Sequence, residues 1–476
     1  MELVQSQAGA RPQLKRALGR RDLVLLFIVA IVNLNVVPSI AANGGVTIWL
    51  WILALVFFFW PQGIAVIELA QRYPGEGGVY LWIKNYFGDF HGFLAGWCYW
   101  TNNVFYIPTV LLYLVGVATF AAGPRAKALG ENPEFTLFAA LTALVILVAL
   151  SVMGQGIGKW VNNVGGIGTW LIAAILIVLG AVVFATHGSA LKSSDFRVQG
   201  TDWRIIATFG TICFSLVGLE LGSVMGDEIK DPRRTVPQAV VIGGIASGIL
   251  YIGATLTLLL AVPKENIGVL QGVVQAIQGM AKQVGMDWIV APLAVVLSVS
   301  IAGIASAWLS GSARIPFVAG MDRYLPESLG RLHPRTATPY VALIAQGVLS
   351  AIFMVFNNLV GRPTVKEAFE IMLALAVVLQ LVPFLYLYAT LIRIAKGTRD
   401  ANGRFGAKTL MMAGLSGLIT TAIGMVVAFV PPSGVKSVWV FEIKMILGTL
   451  FFLGLAGFFF YVYSRRKQAR SVVVSV

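Results

Sequence analysis

The sequence predicts an all-α polytopic membrane protein with about 12 transmembrane helices. Three observations lead there. The chain is 58% hydrophobic and only 12% charged, against about 25% charged in soluble domains, and its mean hydropathy is +0.82. Apolar runs long enough to cross a bilayer as helices recur from residue 22 to residue 463. They are too long for barrel strands, and lipid excludes open sheets. Basic residues fall between the runs on alternate connections: with the N-terminus inside, 24 of the 35 Lys and Arg lie on the inner side. That bias predicts an even number of spans and both termini in the cytoplasm; the expected location is the plasma (inner) membrane.

The same pattern excludes other classes. The net charge of +14 is a topology signal, so no nucleic-acid partner is expected. Cys98 and Cys213 both lie inside apolar runs, so no disulfide framework is expected. His91, His187 and His333 lie in or beside loops, and no metalloprotease, nucleophile-elbow or phosphate-loop motif is present. The reading is therefore not an enzyme, with no cofactor and no metal site.

Taken in order, a basic tail (1–21) precedes spans at 22–45, 47–71, 90–121, 134–153 and 160–186, then 204–229, 236–262, 287–315, 338–358 and 366–395. Spans at 408–431 and 440–463 and a tail at 464–476 follow. The first apolar run continues past signal-peptide length, so no cleavable leader is expected. Residues 22–186 and 204–395 form two sets of five spans. Five is odd, so the second set enters upside down, an inverted repeat found in many secondary transporters. The inner loops 72–89 and 317–337 are expected to hold short amphipathic helices, and 264–285 a helix lying over the outer surface.

The first span of each set looks interrupted. Span 1 crowds Asn33, Asn35, Pro38, Ser39, Asn43, Gly44 and Gly45 into one stretch; span 6 carries Ser215, Gly218, Glu220, Gly222, Ser223, Gly226 and Asp227. Glycine costs about 1 kcal/mol against alanine in a helix, and a carboxylate in a bilayer about 2.5–3.5 kcal/mol or more. A Pro-kinked span 1 and a span 6 that simply ends in headgroup water are the plainer alternatives. If both helices break, the half-helix N-terminus around Ser39–Asn43 offers N–H groups to a carboxylate. The C-terminal ends near Val36–Val37 and Ser215–Val217 offer carbonyls to an ammonium. A gap that binds both is a receptor for a free α-amino acid.

The expected substrate-binding residues are Val36, Val37, Ser39, Ile40 and Ala41 through backbone groups, with Phe214, Ser215, Val217 and Gly218 from span 6. Asn103 and Tyr106 of span 3, Trp308 of span 8 and Gln380 of span 10 complete the set, although such residues also pack helices together. Glu68 and Glu220 are the intramembrane carboxylates, each either a proton carrier or a structural acceptor. Glu68 can pair with Arg72, and Glu220 can hold the unwound backbone of span 1.

Three stretches resemble signatures of the amino acid–polyamine–organocation (APC) transporters. ELAQRYPGEGGVYLWIKNYFG (68–88) resembles the second-to-third-helix signature, FSLVGLELGSVMGDEIKDPRRTVPQA (214–239) the sixth-helix signature, and SARIPFVAGMDRYLPESLGRLHPRTATP (312–339) the eighth-to-ninth connector. The resemblance implies a five-plus-five inverted repeat (LeuT-like) plus two C-terminal helices, with substrate held between the broken first and sixth helices. It implies a secondary amino acid transporter working by alternating access, by proton symport or substrate exchange. A polyamine carrier of the same fold ranks second, and a non-transporting sensor third. Two departures stand out. Asn35-Val36-Val37-Pro38-Ser39 replaces the usual glycine-rich break of the first helix. The span-5 lysine of many proton-coupled members is missing, the matching position being near Gly168. The glycine-rich span 5 is similar to that of the glutamate/GABA antiporter branch.

Overall fold

The structure, a computed structural model, describes residues 14, 16–130, 132–189, 191, 193–196, 203–262, 272–359, 365–397, 403–431 and 437–474. Among them no strand forms beyond two isolated bridges. The helices are α1 (Arg20–Ile31), α2 (Val37–Ala41), α3 (Val46–Ala54), α4 (Trp60–Arg72), α5 (Val79–Phe87), α6 (Asp89–Ala118), α7 (Ala126–Gly130), α8 (Pro133–Val152), α9 (Gln155–His187) and α10 (Trp203–Ser215). Then follow α11 (Leu221–Val224), α12 (Pro232–Ala261), α13 (Gly272–Gln283), α14 (Val290–Ser312), α15 (Arg314–Met321), α16 (Tyr340–Leu359), α17 (Val365–Lys396), α18 (Ala407–Val427) and α19 (Val438–Val474). A single π turn, Leu55–Phe59, joins α3 to α4.

Among the described residues, nine segments are long and apolar enough to cross a membrane unbroken. Three of the twelve expected spans are not among them. One is α16, whose apolar part is the shorter Tyr340–Phe356. The other two are the spans expected to be interrupted: α1 stops at Ile31 before α2 starts at Val37, and α10 stops at Ser215 before α11 starts at Leu221.

The break in the first span lies upstream of Pro38, not at it. Pro38 sits in the first turn of α2, where its missing N–H removes no helical hydrogen bond. The helix ends instead where asparagines begin. The N–H of Asn33 donates to the Tyr251 hydroxyl (2.9 Å) rather than to the preceding turn. In the second repeat the chain turns at Gly218, whose φ of +140° is open to glycine and strained for other residues. Other boundaries also move. The 317–337 connector holds the end of α15 and a 3₁₀ turn, Glu327–Gly330, instead of a separate amphipathic helix. The expected tail at 464–476 is largely the end of α19. The outer segment contains α13, while 263–271 and the first 13 residues lie outside the described residues.

Helix α1 packs against α9, α12 and α14, and α6 packs against α14 and α17. The interrupted helices are thus enclosed by unbroken ones. Between α9 and α14 the backbones touch: a Cβ on Gly165 would lie 2.7 Å from the Cα of Gly303. Small residues permit such approaches in membrane bundles.

At the face where α1 begins, the three signature stretches meet. Arg314 (1% exposed) donates from Nη2 to Glu228 Oε1 at 2.7 Å, and its Nε lies 3.4 Å from Glu76 Oε1. Its Nη1 donates to the Ser310 carbonyl. Glu76 Oε2 accepts from the Asp227 N–H (3.2 Å), and Glu76 bridges to Met225 while Leu18 bridges to Ile229. Two buried carboxylates thus share one guanidinium. Burial, then the neighbouring Glu228 charge, hold the Glu76 carboxyl well above the usual carboxylate range, against the pull of Arg314. Asp227 adds to the negative side, and nearby Lys84 is engaged by Asp322 at 2.5 Å.

A carboxyl whose pKa is higher folded than unfolded stabilises the fold fully below its ordinary range and loses that contribution as pH rises through the folded value. The apparent melting temperature of the detergent-purified protein is therefore expected to fall as pH rises above the ordinary carboxylate range and through the raised Glu76 value. Glu76→Gln, neutral throughout, is expected to show a flatter profile. Parallel profiles for the two proteins would refute the raised Glu76 carboxyl.

Candidate functional site

Breaking a helix leaves its last carbonyls without intrahelical partners. At the end of α1, the Ala30 carbonyl accepts from Trp308 Nε1 (3.0 Å) and the Ile31 carbonyl from the Tyr251 hydroxyl (2.5 Å). At the end of α10, the Ser215 carbonyl lies 2.8 Å from the same Tyr251 hydroxyl. Tyr251, on α12, therefore ties both breaks together, and Trp51 stacks on its ring with centroids 4.4 Å apart. The far side of the α10 break is fixed by Glu220. Its carboxylate accepts from the Gly218 N–H (3.0 Å), Gln62 Nε2 (2.8 Å) and the Tyr99 hydroxyl (3.0 Å).

Between the two breaks lies a small cavity, far below the usual range of about 300–1,000 Å³ for ligand sites. It has room for about one ordered water. Its walls are Ala30, Ile31 and Asn33 of the first break, Phe214, Ser215 and Val217 of the second, and Asn102, Tyr106 and Trp308 from α6 and α14. Three aromatic rings meet edge to face there: Tyr106 with Phe214 at 5.6 Å and Tyr106 with Trp308 at 6.0 Å. The Asn33 side chain donates to the Tyr106 hydroxyl. None of the lining residues carries a charge at neutral pH.

Of the expected site residues, Tyr106, Phe214, Ser215, Val217 and Trp308 line this cavity. Gly218 sits behind it, its Cα facing the end of α1; a Cβ there would lie 2.9 Å from Ile31 Cγ1. Val36, Val37, Ser39, Ile40 and Ala41 do not line the cavity. They belong to the start of α2, where Ser39 Oγ donates to the Val36 carbonyl (2.8 Å). Because the break comes earlier than Pro38, the free carbonyl end is Ala30–Ile31 and not Val36–Val37. Asn103 turns away, its Nδ2 donating to the Tyr99 carbonyl (2.8 Å), while its neighbour Asn102 takes the lining position. Gln380 stands one step back, accepting from Asn102 Nδ2 at 2.7 Å.

Glu68 lies outside the cavity. It pairs with Arg72 at 2.7 Å and accepts from the backbone N–H groups of Arg404 and Phe405 (2.9 and 3.1 Å). A Cβ on Gly168 would run into the Ser300 hydroxyl, so a larger residue there requires that hydroxyl to turn away from the α9–α14 contact. Among the described residues no group of three or more His, Cys, Asp or Glu could hold a metal ion. Sequence reasoning missed Ala30, Ile31 and Tyr251. The first two act through carbonyls that any apolar residue would carry, and Tyr251 is a single aromatic in an apolar run.

Paired helix breaks around a small uncharged cavity, inside a bundle of membrane-crossing helices, mark the molecule as a membrane transporter of the permease type. The chain belongs to the amino acid permease family, whose profile matches residues 18–452. An uncharacterized transporter of Legionella pneumophila is 27% identical over 456 residues, covering 92% of this chain and 95% of its own. A branched-chain amino acid permease of Bacillus subtilis is 25% identical over 368 residues (74% and 77% of the two chains). A probable agmatine/putrescine antiporter of Lactococcus lactis is 22% identical over 374 residues (78% of each). The APC resemblance of the three motifs therefore holds across nearly the whole chain.

Gly218 offers a direct test of the site. Leucine there must displace the last turn of α1 and adopt a strained backbone, at about 1–3 kcal/mol or more. Gly218→Leu is expected to insert normally, as judged by a monodisperse gel-filtration profile, but to lose at least tenfold in ligand affinity. Unchanged affinity would remove the cavity from the transport path.

Proposed function

We propose that the protein is a secondary active transporter that carries amino acids across a cell membrane by alternating access, through proton symport or substrate exchange. The observation that carries this reading is the uncharged cavity between two broken helices. A zwitterion brings its own balanced charges, so it suits a site that offers backbone dipoles and no fixed charge. The aromatic walls formed by Tyr106, Phe214 and Trp308 suit an apolar side chain. The branched-chain substrate of the Bacillus subtilis relative supports that preference. Glu220 accepts three hydrogen bonds behind the cavity, which supports a positioning role over that of proton carrier. With the span-5 lysine absent, exchange is as consistent with the site as symport. The inner-side excess of Lys and Arg supports both termini facing the cytoplasm.

A polyamine carrier is the second reading, supported by the Lactococcus lactis relative and by aromatic rings able to hold a cation over their faces. Against it, a dication would enter this cavity with no carboxylate on its walls.

The deciding experiment is thermal stabilisation of the purified protein by the twenty amino acids, agmatine, putrescine and spermidine, followed by uptake into proteoliposomes. Stabilisation and counterflow with neutral apolar amino acids are expected. A ligand at a hundred times its Kd adds about 2.7 kcal/mol to the folded state, a readily measured shift. Stabilisation by polyamines alone would reverse the ranking, and binding without flux would point to a sensor.

A further inference from the structure

Three polar residues follow one another on α6, and their side chains are spent differently. Thr101 Oγ1 donates to the Trp97 carbonyl (2.7 Å) and Asn103 Nδ2 to the Tyr99 carbonyl (2.8 Å), each one turn back on the same helix. Asn102 reaches another helix instead: its Nδ2 donates to Gln380 Oε1 of α17 at 2.7 Å. Both amides are buried, at 1% and 0% exposure. That bond uses one end of each. Asn102 Oδ1 and Gln380 Nε2 have no hydrogen-bond partner among the described residues. Turning both amides over would exchange donor and acceptor and still leave one end of Asn102 unused. Buried polar ends normally find a partner. Asn102 lines the cavity, where there is room for about one water.

We propose that Asn102 is a specificity-determining residue that selects amino acids carrying a side-chain hydroxyl, such as threonine, and that Gln380 is the positioning residue behind it. This rests on the transport reading above and narrows its apolar preference. The water that the cavity admits is what a bound side chain displaces. A hydroxyl reproduces that water's hydrogen bond, because it can donate to Asn102 Oδ1. A methyl in the same place strands the buried oxygen, and displacing a water without replacing its bonds loses affinity. The aromatic walls formed by Tyr106, Phe214 and Trp308 take the γ-methyl of threonine as they would that of valine. Gln380 acts through Asn102: by engaging Nδ2 it holds Oδ1 as the end available to the cavity. A site built around a substrate hydroxyl rejects the isostere lacking it far more strongly than an apolar pocket rejects an added hydroxyl. That asymmetry makes threonine against valine the informative pair.

The test uses isosteric pairs, threonine against valine and serine against 2-aminobutyrate, each exchanging a hydroxyl for a methyl. Affinities are read from thermal stabilisation of the purified protein and from competition for uptake into proteoliposomes. The wild type is expected to bind the hydroxyl member of each pair about fivefold more tightly or better, the scale of one net hydrogen bond. Asn102→Leu, similar in size and without polar ends, is expected to reverse the order. Gln380→Met, which unties Asn102, is expected to bring the ratio toward one. Residues that only tie α6 to α17 would weaken both members alike in the variants and leave the ratio unchanged, and that result overturns the proposal. Equal binding of the two members by the wild type overturns this inference alone, and that measurement needs no variant to fold. Stabilisation of the wild type by none of the twenty amino acids overturns the transport reading itself.

Discussion

An unpaired backbone carbonyl inside a bilayer costs several kcal/mol, and this constraint organises the molecule. Interrupting two spans creates such carbonyls in pairs. Each is met by a side chain from an unbroken neighbour: Tyr251 from α12 and Trp308 from α14. The opposite lip of the second break is held by Glu220, itself fixed by Gln62 of α4 and Tyr99 of α6. The cavity is therefore a by-product of how the bundle satisfies its own irregular backbone. Its walls are polar where hydrogen bonding requires it and aromatic elsewhere.

The face where α1 begins is closed by different physics. A buried ion pair gains little net energy once desolvation is counted, but breaking it strands a charge. With Glu76 and Glu228 sharing Arg314, the contact is conditional on where a proton resides. Its members come from the 72–78 loop, the segment after α11 and the start of α15. The three recognisable motifs are far apart in the chain because each supplies one part of a single closure, to which Leu18 and Ile229 add a backbone bridge.

Much of this was legible in the residues. Composition and run length predict the helical bundle, and polar residues inside spans 1 and 6 predict the breaks. The position of the first break was misread because Pro38 reads as a breaker, whereas at the first turn of α2 it is compatible with the helix. Contacts made by backbone atoms leave no mark in side-chain chemistry, so Ala30 and Ile31 passed as ordinary span residues. Asn102 and Asn103 are adjacent, and only the register of α6 decides which one faces the cavity. The C-terminal arginines Arg465 and Arg466 suggested a tail, but arginine, lysine and glutamine are good helix formers and α19 continues through them.

The glycine contact between α9 and α14 has a mechanical meaning. Protein interiors resist shear because side chains interlock. Where Gly165 meets Gly303 neither helix has a side chain of its own to interlock, and the Val29 methyl of α1 packs beside the two backbones. Trp308, five residues beyond Gly303 on the same helix, lies on the cavity wall. Any shift of α14 against α9 at this seam would carry that wall of the site with it.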